Sequence, residues 1–586
     1  MELKRQYGYT DLAWGLLVFA LCLFLTGCET EAEVVLPTRI ILPTATQTST
    51  AAPSSTAKAQ KATATALPTP TEETFTSSAT ITLTPQPDKA AARFFSGDIH
   101  THSWLSDGKD AEANILSRAF EAYHLDYLAN SDHGGVFTRN PNGQFWNDPG
   151  LPLLTLLGDS APIKINNQEG KTVIQPGMWR WQSLRDFSWP LLFGGKDGYS
   201  VQLPGLQALY PTHLVMQGLE WNIPGHEHAS MGITGQTDSA AISQFEYQYD
   251  EKDTDTSRKD LAKHNLIHGD ALVALKDLVE HGDQNAYVII NHPSRQLAYS
   301  AVDLREFNDM APNVVIGLEG FPGHQKSAQR GDYNFDFSST AETARARTYG
   351  GADYMLAKVG GMMDALWGDG RRFWVFNDSD FHSSDPAADF WPGEYNKTYT
   401  YASSLSAAHI VDGMRSGQDF IVTGDLINGL DFHAAASGQQ AVMGAQLSAA
   451  AGETITVTIR FQSPPKNNHG DAVKVDHIDL IAGDVSGRTE PGSAVYNNDS
   501  NPSARVVKTF TETDWKDDNG WKTLTFAYLA ANDHYLRLRG TNLGPNAPNQ
   551  TQNGNPLSDA LMGKNDADQA WADLWFYSNP IFVKVK

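Results

Sequence analysis

Cysteine is almost missing from this chain: two in 586 residues, too few for a disulfide framework, a zinc ribbon or an iron–sulfur centre. Basic residues are scarce too, 44 Lys plus Arg against 68 Asp plus Glu, which leaves a formal charge of −24. A chain this acidic has no electrostatic footprint for polyanions, so a nucleic-acid polymer is not expected as a partner. The apolar run Leu16–Leu25 falls short of the ~20 residues a membrane-spanning helix needs. No G-x-S-x-G elbow is present, so nothing suggests the exposed serine nucleophile of an α/β-hydrolase. Hydrophobic residues still make up 41%, enough to bury more than one core in a chain of this length.

Lys4 and Arg5 precede the Leu16–Leu25 run, as in a secretory signal. The run ends in Leu25-Thr26-Gly27-Cys28, which resembles the bacterial lipoprotein box. That resemblance implies a signal peptide over 1–27 and lipidation of Cys28, with the chain held at the membrane by lipid. An uncleaved anchor helix is the other reading, and both put the remainder outside the cytoplasm. Cys22 would leave with the signal, so the mature chain would carry no free thiol nucleophile. Residues 28–92 are dominated by Thr, Ala, Pro and Ser, with hardly any aromatics. Such a stretch cannot bury enough apolar surface to offset its ordering entropy, and a disordered tether is expected.

The rest divides by periodicity. Over 93–429, strand-like apolar runs alternate with helical patterns. Asp110 is placed to cap a helix with Ile115, Ala119 and Tyr123 at i, i+4 and i+8. Leu272, Leu275, Leu278 and Val279 mark another, followed by Ala286–Asn291, a run suited to a strand buried on both faces. Val314–Leu318 and Phe373–Phe376 are of the same kind, and this wiring predicts a parallel sheet or barrel. From Leu430 onward the period becomes two. Ile455, Val457, Ile459 and Phe461 alternate with polar residues, and HIDLI, KTLTFAYL and HYLRLR follow, predicting an all-β sandwich over 430–586.

Histidines and carboxylates gather where predicted strands run out. His100 and His102 follow the run Phe94–Ile99, and residues two apart on a strand share a face, so both imidazoles can reach one ion. Ser106-Asp107-Gly108 is a turn with an oxygen ligand close by. Asp132-His133 follows Tyr127–Ala129. Glu220 lies in GLEWN, His226 and His228 in GHEHAS, His292 in NHPSR, and Asp380 and His382 in NDSDFH. In α/β folds functional groups converge at that carboxyl edge. Nitrogen and oxygen ligands without thiolate favour zinc, manganese or iron, and a set this large suits two or three divalent ions.

In this order the segments resemble the polymerase and histidinol phosphatase (PHP) superfamily, and more narrowly its carbaryl-hydrolase-like (CehA/McbA-type) branch. Residues 398–424 are similar to the helix and strand that close that branch's catalytic domain, and ADLWFYSNPIFV, 572–583, to its chain endings. The resemblance implies a distorted β/α barrel with a metal cluster in its mouth. It puts His100, His102, Glu220 and Asp380 on one ion. Glu220 as a bridge and His292 would hold a second, with His228 preferred and His226 as substitute. Asp107, His133 and His382 would hold a third. Insertions at about 141–212 and 233–285 depart from compact members; the first carries Trp146, Trp179, Trp181 and Trp189, a cover for the barrel mouth or simply a local apolar cluster.

A water shared by such ions is a nucleophile near neutral pH, and the ions draw off charge that builds on a phosphoryl or carbonyl oxygen. Arg295, just past His292, is placed to fork onto a phosphate oxygen, or else forms a surface salt bridge. Arg371 and Arg372 precede a strand and suit that role less. Glu319, His324, Asp98 and Asp132 are candidates for orienting the ligands. The leading expectation is an extracytoplasmic phosphoesterase acting on a small-molecule phosphoester. Carboxylic ester or carbamate hydrolysis at the same site, and a non-catalytic surface binding lipoprotein, are the alternatives.

Overall fold

The computed structural model describes residues 92–135, 164–168, 171–175, 206–234, 240–254, 261–281, 286–333, 344–385, 389–560 and 567–586. They belong to one compact unit, Leu83–Lys586. The expected signal segment, Cys28 and the tether up to residue 91 lie outside the described residues, as do Trp146, Trp179, Trp181 and Trp189. Among the described residues no helix is long and apolar enough to cross a membrane.

Ala286–Ile290 (AYVII) is buried along its whole length, as an inner strand of branched and aromatic residues should be. Val315–Phe321 lies parallel on one side of it and His228–Ile233 antiparallel on the other. Trp374–Asn377 extends this five-stranded sheet in parallel, and Leu219–Asn222 forms the opposite edge. The helix before it, His268–His281, buries Ala271, Ala274, Leu275 and Leu278. Its apolar stripe therefore starts at Ala271 rather than Leu272, and Val279, expected inside, is 53% exposed. Near the start of the fold, the helix Glu112–Ser117 opens on Ala111 with no side-chain cap and runs into a π-helical turn, Arg118–Ala122. Asp110 does not cap it; its carboxylate accepts the Ser384 backbone N–H at 3.1 Å instead.

A second, eleven-stranded sheet crosses the expected boundary at 429/430. Arg93–Asp98, Tyr127–Ala129, Leu214–Met216, Asn396–Ala402 and Asp419–Thr423 come from the first part of the chain. Trp575–Ser578 then pairs with Asp419–Thr423, and five further late strands continue from it, including His477–Asp484 and His534–Thr541. This sheet has a core on each face. One gathers Phe95, Tyr127, Tyr535 and Tyr577 with the five-stranded sheet and its helices. The other gathers Phe420, Leu536, Leu538 and Phe576 with a separate antiparallel sheet built around Gly429–Ala436 and Thr454–Gln462. In Thr454–Gln462 the expected alternation holds, with Ile455, Val457, Ile459 and Phe461 inside. HYLRLR does not alternate: every residue of His534–Thr541 is buried, because both faces of that strand are covered. The architecture is mixed α/β with several sheets. Two isolated parallel bridges, Thr101 with Phe381 and His133 with Glu220, tie the long sheet to the five-stranded one, and the candidate site forms between them.

Candidate metal centre

The strand Arg93–Asp98 is pinned at its end by crossed hydrogen bonds. Asp98 accepts the backbone N–H groups of His100 and Ser379, each at 3.1 Å, while Asp378 accepts that of Ile99 at 2.8 Å. His100-x-His102 is thereby laid beside Asp380-x-His382. Burial raises both carboxyl groups, Asp98 to about 7, which favours their protonated forms inside the brace. Asp132 does the same for the next loop: it accepts the N–H of Ser103 at 2.8 Å and its hydroxyl at 2.6 Å, and the hydroxyl of Ser106. Gly108 lets that loop fold tightly, since a Cβ there would stand 2.3 Å from the His102 carbonyl oxygen.

Glu220, 1% exposed, lies at the middle. Its Oε1 is 3.0 Å from His100 Nε2, 3.1 Å from His228 Nδ1 and 3.5 Å from His292 Nε2. Its Oε2 is 2.7 Å from His133 Nδ1 and 3.3 Å from His102 Nε2. Asp380 Oδ1 stands 3.2 Å from His100 Nε2 and 3.3 Å from His102 Nε2. Asp107 meets His382 Nε2 at 3.4 Å, His133 Nε2 at 3.5 Å and His102 Nδ1 at 3.6 Å. The nine residues expected as ligands thus lie in one cluster. Their donor atoms form overlapping groups, among them His102/Asp107/His133/His382, His100/His102/Glu220 and His133/Glu220/His228, each with its atoms within 4.8 Å of one another.

These residues fit divalent ions. The donors are nitrogen and oxygen alone. His102 Nδ1, His133 Nδ1, His292 Nδ1 and Glu220 Oε2 are buried without a hydrogen bond, a costly state for polar atoms with nothing else to bind. Ring tautomers are set from behind: His100 Nδ1 lies 2.6 Å from Glu319 Oε1 and His382 Nδ1 is 2.9 Å from the Asp380 carbonyl, which leaves each Nε2 lone pair facing the cluster. Burial would raise Glu220 and Asp380. The imidazoles of His228, His133 and His100 hold Glu220 well below the usual carboxylate range, and His100, His324 and Arg295 do so for Asp380. Burial and the neighbouring His382 push His102 down to about 3, a ring that binds as a neutral donor. His292, His324 and Asp380 have positive φ angles of 29°, 56° and 48°. Such backbone costs about 1 kcal/mol or more per residue outside glycine and clusters where function over-determines it.

Burial grades across the cluster. The side chains of His100, His102, Glu220, His292 and Asp380 are closed off, whereas those of His133, His228 and His382 are partly open and that of Asp107 is 31% exposed. The cluster therefore opens toward Asp107, His133, His228 and His382. Arg295 is not free to fork as expected: its Nη2 lies 2.9 Å from Asp380 Oδ2 and its Nε donates to the Gly331 carbonyl at 3.1 Å. This is a buried ion pair, not a surface one. His324 supports the same carboxylate, with Nε2 3.0 Å from Asp380 Oδ2 and Nδ1 2.6 Å from Asp389. Arg371 is bound to Asp309 and Asp369, and Arg372 to the Gly444 carbonyl.

Of the two histidines in GHEHAS, His228 is the one that reaches Glu220. His226 turns to His268, with 2.8 Å between their ring nitrogens. Sequence reasoning missed Asn291, whose Nδ2 donates to Glu220 Oε1 at 2.8 Å, and Asp389, which also accepts the His382 N–H at 2.8 Å. Asn291 had a signal, since it ends the same apolar run that delivers His292. Asp389 had none.

No protein-family model and no curated protein sequence matches the chain. Among solved structures, the chain is similar to a two-domain protein from Bacteroides vulgatus described as containing a predicted PHP-like metal-dependent phosphoesterase. The identity is 12% and the TM-score 0.30, over 76% of this chain and 97% of that one. At that level of overlap the function has to be read from the side chains themselves.

Proposed function

We propose that this chain is a metal-dependent hydrolase of phosphoesters, holding two or three divalent ions of the zinc, manganese or iron class with His100, His102, Asp107, His133, Glu220, His228, His292, Asp380 and His382. The observation that carries this reading is Glu220, whose two oxygens face different sets of imidazoles, as a carboxylate shared by neighbouring ions would. Bound ions would supply Lewis-acid charge to a phosphoryl oxygen and lower the pKa of water toward 7. The chain itself does the rest. Buried His100, His102 and His292 exclude bulk water from the floor, and Glu319, Asp98 and Asp378 fix the angles from which the ligands approach. Arg295 neutralises Asp380, and we assign its remaining Nη1 to a phosphate oxygen.

On fold, we read the five-stranded sheet, joined through the two isolated bridges to the early strands of the long sheet, as a distorted β/α barrel of PHP type, and the second core as a β-sandwich. The carbaryl-hydrolase-like branch rests on the sequence motifs alone. For location, Lys4, Arg5, the Leu16–Leu25 run and Cys28 support an extracytoplasmic, lipid-anchored protein. Labelled fatty acid should enter the wild type and not Cys28→Ser; equal labelling would end that part of the proposal.

The test is chelation followed by metal return, scored on a generic phosphodiester, a phosphomonoester and a carboxylic ester. Turnover of the phosphoesters should vanish and come back. Full activity after complete metal removal overturns the metal reading, and recovery on the ester alone selects ester hydrolysis. Arg295→Met should depress phosphoester turnover more than ester turnover; equal loss removes Arg295 from the phosphate.

A further inference from the structure

Away from Glu220, two imidazoles meet in a way that neutral rings cannot satisfy. His226 stacks on Tyr299, ring centroids 5.3 Å apart, and points its Nδ1 at the Ala298 carbonyl, 3.0 Å away. His268 stacks on Phe307 and turns its Nε2 to Glu306 Oε2 at 2.8 Å. A carbonyl and a carboxylate only accept, so each outer nitrogen must carry the ring hydrogen, and a neutral imidazole has one. The inner nitrogens, His226 Nε2 and His268 Nδ1, then face each other lone pair to lone pair at 2.8 Å. A positive centre is needed beside them.

The third group there is an anion. Asp303 Oδ1 lies 3.8 Å from His268 Nδ1, while its Oδ2 accepts the Ser300 N–H and hydroxyl, each at 2.7 Å, in the capping box of the helix Ala301–Met310. Ligand atoms of His226, His268 and Asp303 all lie within 4.8 Å of one another.

We propose that His226, His268 and Asp303 bind one further divalent cation of the zinc class, at a site separate from the nine-residue cluster. Zinc–nitrogen bonds of ~2.0–2.1 Å in tetrahedral geometry set two nitrogens about 3.3 Å apart, which small ring rotations reach from the present spacing. Ala298 and Glu306 fix the two tautomers, as acceptors behind metal-bound histidines do. The ion ties three segments together: the turn ending at His228, the start of the helix His268–His281, and the first turn of Ala301–Met310. Tyr299 adds a link to the main cluster, since its hydroxyl donates to the His228 carbonyl at 3.1 Å. The role that follows is structural support for the turn that delivers His228.

The test is zinc per chain, by elemental analysis of zinc-loaded, gel-filtered full-length protein. His268→Gln should hold about one ion fewer than the wild type, whereas Glu220→Gln keeps the ion that His268→Gln loses. Equal zinc in wild type and His268→Gln overturns the site, whatever becomes of the main cluster. Asp303→Asn retains a capping side chain and serves if His268→Gln fails to fold. It should weaken one class of zinc site by about ten-fold, and unchanged affinity overturns the proposal. Histidine ¹⁵N spectra of the zinc-loaded wild type complete the test, because a ring with both nitrogens protonated at His226 or His268 would mean a shared proton in place of the ion, and also overturns it.

Discussion

Asp364 and Glu220 are both buried carboxylates, each 1% exposed, and their neighbours differ in kind. Asp364 accepts the Tyr535 hydroxyl at 2.8 Å, Arg537 Nε at 2.9 Å, Arg537 Nη2 at 2.8 Å and the Gly360 N–H at 2.7 Å. Similar pairs recur nearby, with Arg539 on Asp479 at 2.9 Å, Arg330 on Asp573 at 2.8 Å and Arg305 on Asp369 at 2.8 Å. Each of these carboxylates faces a donor of opposite charge. Glu220 faces five imidazoles, and its Oε2 has no hydrogen bond. Buried charge matched pair by pair holds the sheets in register; a carboxylate ringed by imidazole nitrogens has the donor set of a candidate ion site. The difference separates a structural ion pair from a candidate binding site, although burial alone would rank the two alike.

Substitution breaks that comparison most sharply at Glu220. Glu220→Gln should lower phosphoester turnover on the order of a thousand-fold and reduce bound metal, measured together by steady-state kinetics and elemental analysis. Asp364→Asn should act on stability instead. It strands Arg537 in the interior at a cost of about 3–5 kcal/mol, read by denaturant unfolding, with metal content unchanged. If Asp364→Asn sheds metal while Glu220→Gln keeps it, the distinction drawn above is wrong.

The same contrast explains what was legible in the sequence. Candidate metal ligands are nitrogen and oxygen donors grouped in short motifs, so His100-x-His102, Asp107, His133, Glu220, His292 and Asp380-x-His382 all carried a local mark. The choice within GHEHAS turned on one detail: the strand is His228–Ile233, so His226 precedes it and the same-face rule does not reach it. Matched pairs carry no such mark. Arg537 and Asp364 are 173 positions apart, and Arg330 and Asp573 are 243. HYLRLR therefore read as a half-exposed strand, when its arginines are buried on the inner face of a sheet covered on both sides. The continuity of that sheet across residue 430 was hidden for the same reason, since its pairings join segments remote in the chain.

Glu112 sharpens the comparison from a third position, a buried carboxyl with almost no partner. It is 2% exposed; Asn130 donates to Oε2 at 2.7 Å and Oε1 has no hydrogen bond. Burial, aided by the nearby charge of Asp132, lifts its pKa from 4.5 to about 8. A carboxyl raised on folding is accommodated best while protonated. Its contribution is therefore complete below pH 4.5 and is lost as pH climbs through 8. Wild type should lose roughly a few kcal/mol relative to Glu112→Gln between pH 5 and pH 9, measured by denaturant unfolding at each pH. Parallel stability curves would show that Glu112 is already ionised in the fold.

The smallest effect is expected from a change that removes no ligand. A Cβ on Gly323 would stand 2.1 Å from Asp380 Cβ and 2.2 Å from the Ser379 carbonyl oxygen, contacts that backbone and side chain cannot both yield. Gly323→Ala must therefore shift either the segment carrying His324 or Asp380 itself, which already sits at a positive φ of 48°. Its oxygens would leave the 3.0 Å contact with His324 and the 2.9 Å contact with Arg295, both of which hold the carboxylate in place. Displacement short of removal should cost about ten-fold in turnover, with a smaller drop in bound metal than Glu220→Gln produces. Gly544 is the control: a Cβ there meets nothing within 4 Å, so Gly544→Ala should leave both readouts alone. Should Gly323→Ala prove silent as well, Asp380 would not depend on its supporting contacts, and the cluster would be less preorganised than its geometry implies.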